Sequence, residues 1–257
     1  MNGESKDLFS VEDRVIIVTG CARGIGLTYA RGLGEHGARL AICDIQEQKI
    51  LERGRDLEAE GCDVMASKVD VTSPDEVDAF VRQVIKRFDR IDGLVNNAGV
   101  LMRRTPEEMK PEEWEFIQKV NVNGTFLFAQ AVGREMIRQR QGSIVNIASI
   151  AAKQALDLRL AYCTSKAAVE HFTRTLAFEW GKYNIRVNAI APGFIKSDMN
   201  ADLRANPEIY RRMIGEVPLG RFGEPEDLLG TLVYLLSPAS TYVTGQTIFV
   251  DGGKTTI

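Results

Sequence analysis

Apolar runs alternate with amphipathic segments along the whole 257-residue chain. The runs are RVIIVTG (14–20), ARLAICD (38–44), VMASKVDV (64–71), DGLVNNAG (92–99), GSIVNIAS (142–149), IRVNAIAPG (185–193) and QTIFVDGG (246–253). Several are almost continuously apolar, the pattern of strands buried on both faces of a parallel sheet. Helical segments lie between them. The segment 74–88 opens with Ser73-Pro74, an N-cap followed by a proline suited to the first turn; longer stretches cover 114–140 and 162–183. Seven strands with helical crossovers predict an α/β fold, a doubly wound parallel sheet with helices on both faces. No linker or low-complexity break interrupts 1–257, so a single domain is expected. The stretch 194–225 lacks strand character. Leu203, Tyr210, Met213, Ile214 and Val217 recur there at near-helical spacing, which predicts either a small amphipathic lid or a helix packed on the core.

Composition narrows the classes. A net charge of −3 gives no electrostatic case for nucleic acid or an anionic membrane as partner. Met1–Ser10 is polar, unlike a signal peptide, and no apolar run reaches the roughly 18 residues of a membrane span. Cys21, Cys43, Cys62 and Cys163 show no metal-type spacing and suit a reduced compartment. A cytoplasmic protein without a metal site is expected. Of the two histidines, His171 falls nine positions after Tyr162, on the far side of the same helix. With His36 remote as well, proton chemistry must use another residue.

That residue is suggested by AYCTSKAAV (161–169). Tyr162 and Lys166 are four apart and share a helix face. A free phenol titrates near pH ~10, and a neighbouring ammonium favours the phenolate. The pair reads as a general acid/base, although the spacing also fits an ordinary helix with a solvated lysine. The first strand runs into TGCARGIG (19–26), where glycines permit a tight turn into a helix N-terminus suited to pyrophosphate. Asp44, at the end of the second strand, is placed to bind an adenosine ribose. A plain tight turn would use the same glycines.

Together these motifs resemble the short-chain dehydrogenase/reductase family over roughly residues 10–253. Gly20, Arg23, Gly24, Ile25 and Gly26 match its cofactor loop. Asn97, Ala98 and Gly99 in NNAG (96–99) match the turn after its fourth strand, and Asp70 with Val71 its adenine contact. Asn121, Ser149, Tyr162 and Lys166 match its catalytic tetrad. Pro192, Gly193, Ile195 and Ser197 resemble its nicotinamide-holding segment, where the last position is more often threonine. The resemblance implies a Rossmann-like fold in which Ser149 and Tyr162 share one substrate oxygen. It further implies that Lys166 lowers the tyrosine pKa and binds the nicotinamide ribose. Asn121, Asn123 and Gly124 permit a kink in 114–140, which the resemblance fills with a water linking Lys166 to solvent. Asp44 favours NAD(H) over NADP(H) by repelling a 2′-phosphate; Arg23 argues the other way. A homotetramer is implied, pairing 114–140 with 162–183 and using 225–253, where Leu228, Leu229, Leu232, Val233, Leu235 and Leu236 exceed a one-sided stripe. A core-facing helix in a monomer would explain those residues too.

The substrate is less legible. Loops 100–106, 150–160 and 194–217 offer Arg103, Arg104, Lys153, Gln154, Arg159 and Lys196 alongside Met102, Leu156, Phe194 and Met199. Buried cations and amides select substrates able to pair with them. GRFGEPEDLLG (220–230) resembles gluconate and deoxygluconate dehydrogenases and also 3-oxoacyl-carrier-protein reductases. The expected function is NAD(P)-dependent interconversion of a secondary alcohol and a ketone on a small polyol, sugar acid or related carbonyl compound. The alternatives are an NADPH-dependent 3-oxoacyl-carrier-protein reductase and, from another class, a non-catalytic nucleotide sensor. A sensor has no need of the acid/base pair.

Overall fold

The computed structural model describes residues 7–256; the first six residues of the polar stretch Met1–Ser10 lie outside it, as does residue 257. Each apolar run yields one strand: β1 (Val15–Thr19), β2 (Arg39–Asp44), β3 (Val64–Lys68), β4 (Gly93–Asn96), β5 (Gly142–Ile147), β6 (Ile185–Pro192) and β7 (Thr247–Val250). All pair in parallel in the order β3-β2-β1-β4-β5-β6-β7. The helices are α1 (Gly24–Glu35), α2 (Glu47–Ala59), α3 (Pro74–Phe88), α4 (Pro111–Gln118), α5 (Gly124–Gln139), α6 (Leu160–Trp180), α7 (Ala201–Ala205), α8 (Pro207–Gly215) and α9 (Leu229–Leu236).

The missing alternation in the strand sequences has a direct cause. Ile16 and Val18 of β1 pack with Tyr29, Leu33, Leu57 and Leu232, on the side of α1, α2 and α9. Val15 and Ile17 pack with Phe80, Val84, Phe128 and Val132, on the side of α3 and α5. Each such burial contributes about 1.5–3 kcal/mol, so both faces demand apolar residues. Between β1 and β4 the strand order reverses, and in such sheets ligands bind in the crevice beyond the strand carboxyl ends at that point.

Two helical stretches gain detail. The stretch 114–140 carries its expected kink as a π-helical turn, Lys119–Asn123, between α4 and α5. The stretch 194–225 is broken at Asn206-Pro207, because Asn206 Oδ1 accepts the Glu208 and Ile209 N–H groups and so starts a new helix. It combines features of both expected forms. Met213 and Val217 are buried, while Tyr210 stacks on Phe222 at 5.2 Å. As expected for α3, Ser73 Oγ accepts the Glu76 N–H and Pro74 follows it. Among the described residues no helix is long and apolar enough to cross a membrane.

Candidate active site

The crevice is built first by backbone. Thr19 Oγ1, at the end of β1, accepts the N–H groups of Asn97 and Ala98 at 3.1 and 3.0 Å. Asn97 Nδ2 returns bonds to the carbonyls of Thr19 and Gly20. The loops after β1 and β4 are thereby joined. Gly20 adopts φ +73°, and a Cβ there would lie 2.8 Å from Ala98 Cα; a Cβ on Gly26 would meet Gly20 O at 2.2 Å. Only glycine lets α1 start this close to the turn. Ala22 N–H and Gln46 N–H each donate to one Asp44 oxygen at 3.0 Å, fixing that carboxylate beside the glycine loop. Asp70 accepts the Thr72 N–H and hydroxyl at 2.8 Å. Burial opposes its charge, but those bonds and the charges of Lys119 and Lys68 hold it below its ordinary pKa. Val71 lies against the start of α5, at Gly124. This set fits a nicotinamide dinucleotide: a tight turn into a helix N-terminus for pyrophosphate, and an oriented carboxylate with spare lone pairs for ribose hydroxyls.

The residues expected to handle the proton come from the end of β5 and from α6. Asn96 Nδ2 donates to Asn146 Oδ1, and Asn146 Nδ2 to Thr173 Oγ1, both at 2.9 Å. This buried polar chain fastens α6 to β4 and β5. Ser149 sits just past β5, its Oγ accepting the Ala151 N–H at 3.1 Å. Lys166 is only 5% exposed. Its Nζ donates to Ile147 O at 2.7 Å and lies 5.7 Å from the centre of the Tyr162 ring. Burial pushes the ammonium pKa down to about 8.

The expected tuning of Tyr162 by Lys166 is corrected. Burial raises the phenol pKa; a hydrogen bond with Ser149 pulls it partly back, Cys163 adds to the rise and the Arg159 charge opposes it. A phenol in a dry setting resists charging, and the lysine that was to favour the phenolate is drawn to the Ile147 carbonyl.

Asn121 lies in the π turn and its amide is fully used. Oδ1 accepts Val100 N–H at 2.8 Å, and Nδ2 donates to Val100 O at 3.0 Å and Ser165 Oγ at 2.9 Å. Ser165 Oγ in turn donates to Tyr162 O at 2.7 Å. A Cβ on Gly99 would lie 3.4 Å from Asn121 Oδ1 and 3.6 Å from Lys166 Nζ, so these groups flank Gly99. The kink expected from Asn121, Asn123 and Gly124 is thus a π turn, a form often found at functional sites.

The segment after β6 is anchored differently. Gly193 N–H donates to Val250 O and Ile195 N–H to Gly193 O, while Ser197 N–H reaches Asn200 Oδ1 at 3.2 Å. Arg23 pairs with Asp198 at 3.1 Å. Arg103 pairs with Asp202 at 2.8 Å and donates to Met199 O. The other candidate pocket groups are engaged elsewhere: Arg104 with Glu113, Lys196 with Glu224, Lys153 over the Phe249 ring and Gln154 with Lys254 O. Arg159 is half-buried before α6 and donates to Asp157 O. Among the described residues it has no carboxylate partner, and burial, then the charge of Arg103, lowers its pKa.

A family model described as enoyl-(acyl carrier protein) reductase matches residues 20–255. The 5-keto-D-gluconate 5-reductase of Escherichia coli (strain K12) is 38% identical over 247 residues, 96% of this chain and 97% of that protein. The chain belongs to the short-chain dehydrogenase/reductase family. It is an oxidoreductase acting on CH–OH groups. The NAD-dependent glycerol dehydrogenase of Listeria innocua serovar 6a is also 38% identical, covering 98% of each chain. The crystal structure of a gluconate 5-dehydrogenase from Burkholderia cenocepacia J2315 in complex with NADP and tartrate superposes with a TM-score of 0.95, at 37% identity and 98% coverage of both chains.

Within this short-chain dehydrogenase/reductase, the loop after β1, the turn after β4, Asn121 and Lys166 are brought together at one place around Gly20 and Gly99. His171 is exposed on α6 and His36 Nδ1 lies 2.7 Å from Gly32 O, remote from it. Several contributors escape a reading of the sequence. Thr19 and Ser165 lie inside the quoted motifs, yet their bonds reach positions far along the chain. Asn146, Asp198 and Asp202 carry no local signal, because each acts through a partner on another element.

Proposed function

We propose that this enzyme interconverts a secondary alcohol and a ketone on a small hydroxylated acid, of the sugar-acid class, with NAD(H) preferred. The observation that carries the reading is an acid/base pair beside two neighbouring guanidiniums, Arg103 and Arg159, the latter without a carboxylate partner among the described residues. An anionic substrate end answers that charge. The relatives named for gluconate, keto-gluconate and glycerol support hydroxylated substrates.

In this reading Ser149 Oγ donates a hydrogen bond to the substrate oxygen. Tyr162 Oη gives that oxygen a proton during reduction and takes one during oxidation. Its raised pKa keeps it protonated at rest, ready to donate. Lys166 Nζ, with one of three donors committed to Ile147 O, serves the ribose. Asn121 holds the loop after β4 to α6, and the π turn seats a water leading from Lys166 to solvent. Bound dinucleotide supplies or accepts the hydride at the carbinol carbon. Gly20, Gly24, Ile25 and Gly26 receive its pyrophosphate side, Arg23 and Asp44 flank the adenosine ribose, and Asp70 and Val71 the adenine. Asn97, Ala98 and Gly99 support the ribose side; Pro192, Gly193, Ile195 and Ser197 hold the nicotinamide. The chain works as one catalytic domain with 194–225 as lid.

The NAD(H) preference rests on Asp44. Two unit charges about 4 Å apart repel by roughly 4 kcal/mol at an effective dielectric near 20, less after screening. Even half of that exceeds tenfold. Exposed Phe116, Phe126 and Phe178 on α4, α5 and α6 support pairing through these helices in a homotetramer, which light scattering tests. Four free cysteines support a cytoplasmic setting.

The deciding experiment is kcat/KM for aldonates, keto-aldonates, neutral polyols and 3-oxoacyl thioesters under both dinucleotides. Hydroxy acids with NAD(H) should lead, by more than tenfold over NADP(H). An acyl thioester as best substrate overturns the substrate class, NADP(H) at parity overturns the preference, and no turnover of any compound favours a sensor.

A further inference from the structure

Arg23 and Asp198 stand 175 residues apart in sequence, yet their side chains meet at 3.1 Å. Arg23 belongs to the glycine loop, directly before α1. Asp198 opens the short 3-10 turn that leads from β6 into the lid helices. Their ion pair therefore spans the crevice from the glycine loop to the lid. Neither residue has a second charged partner among the described residues: nearby Lys196 is held by Glu224 and Arg204 by Asn200 and the Ser197 carbonyl.

We infer that Asp198 is a cofactor-specificity residue, which occupies Arg23 and so withholds the counter-charge that a ribose 2′-phosphate would need. The inference rests on the reading of Asp44 as the group facing the adenosine ribose. Ala22 N–H is bonded to Asp44 Oδ2, so Arg23 leaves the backbone one residue from that carboxylate. A 2′-phosphate at this place meets like charge from Asp44, and Arg23 is the cation beside it. The single guanidinium then faces two claimants, the phosphate and Asp198. NAD(H), which has only hydroxyls there, leaves the Arg23–Asp198 pair undisturbed. Selection against NADP(H) thus has two parts: repulsion by Asp44 and neutralisation of Arg23 from the lid. The second part is small by nature. The two side chains are 62% and 67% exposed, and such pairs exchange partners at little cost.

Calorimetric titration of the whole enzyme with NAD+ and with NADP+, at one ionic strength, tests this without turnover. The readout is the ratio Kd(NADP+)/Kd(NAD+), in which any effect on the shared pyrophosphate cancels. Asp198→Asn should lower the ratio about two- to fivefold, and Asp198→Glu, which keeps the charge, should leave it at the wild-type value. In an Arg23→Gln background, adding Asp198→Asn should no longer move the ratio. An unchanged ratio in Asp198→Asn overturns the inference, as does the same fall with Arg23 absent. A wild-type enzyme that binds NADP+ better than NAD+ instead overturns the reading of Asp44, and the response to Asp198→Asn still decides the role of Asp198.

Discussion

The carboxyl edge around β5 and α6 and the segment 194–225, proposed above as a lid, are held by opposite means. The first is buried and wired by neutral hydrogen bonds: Asn96 to Asn146 to Thr173, and Asn121 to Ser165 to the Tyr162 carbonyl. The second is tied by ion pairs whose members are largely exposed, Arg23–Asp198, Arg103–Asp202 and Lys196–Glu224, with one aromatic stack beneath. Leaving a buried polar group unpaired costs about 1–3 kcal/mol, so the first network admits one arrangement. An exposed ion pair is worth about 0–1 kcal/mol, so the second can trade partners with an incoming anion. On the proposed reading, proton chemistry is placed where geometry is fixed, and ligand selection where contacts are exchangeable.

Tyr162→Phe probes the fixed side and carries the largest expected effect. It removes the proton donor but keeps the ring, so kcat should fall about 10²- to 10⁴-fold with dinucleotide affinity nearly unchanged in a direct titration. Turnover within about threefold of wild type would place the chemistry elsewhere and erase the division between the two regions.

Lys166 gives a pH signature for the same side. Its pKa is about 8 in the folded protein against an ordinary 10.5. The unfolded chain therefore holds more protons between those values, and wild-type stability gains as pH rises through them. Below pH 8 the buried ammonium costs up to about 3 kcal/mol. Lys166→Met lacks this penalty, so its stability relative to wild type should decline by about that amount between pH 8 and 10.5 in urea titrations. A difference that stays constant across the window would mean that Lys166 is not charged in a dry site.

The two regions also differed in how far the sequence disclosed them. Strands such as VIIVT and the order of motifs follow from local periodicity, and the tyrosine–lysine face follows from helix spacing alone. The break at Asn121 was foreshadowed by Asn123 and Gly124, although its π form depends on bonds to Val100 and Ser165. The direction of the Tyr162 shift was not legible, because spacing reveals a neighbouring charge but not the desolvation that outweighs it. On the lid side, Asn206-Pro207 was a readable cap that the apolar repeat across it concealed. The partners of Arg23 and Arg103 lie 175 and 99 positions away, beyond the reach of any local pattern.

The smallest expected effect sharpens the lid side. Tyr210 of α8 lies nearly parallel to Phe222, 5.2 Å away, and Phe222 stacks in turn at 5.7 Å on Phe194, next to Gly193 at the end of β6. Phe222 is buried, so this stack joins the lid helix to the core through a single file of rings. Tyr210→Leu keeps apolar bulk and suits a helix, but forfeits the ring–ring term of about 0.5–1.5 kcal/mol. Because that term holds the lid in place and touches no reacting atom, its loss should appear in substrate KM, raised about two- to tenfold, with kcat within about twofold of wild type. A fall in kcat at constant KM would show that the lid shapes the transition state itself, and the separation of fixed chemistry from exchangeable selection would fail at its most sensitive point.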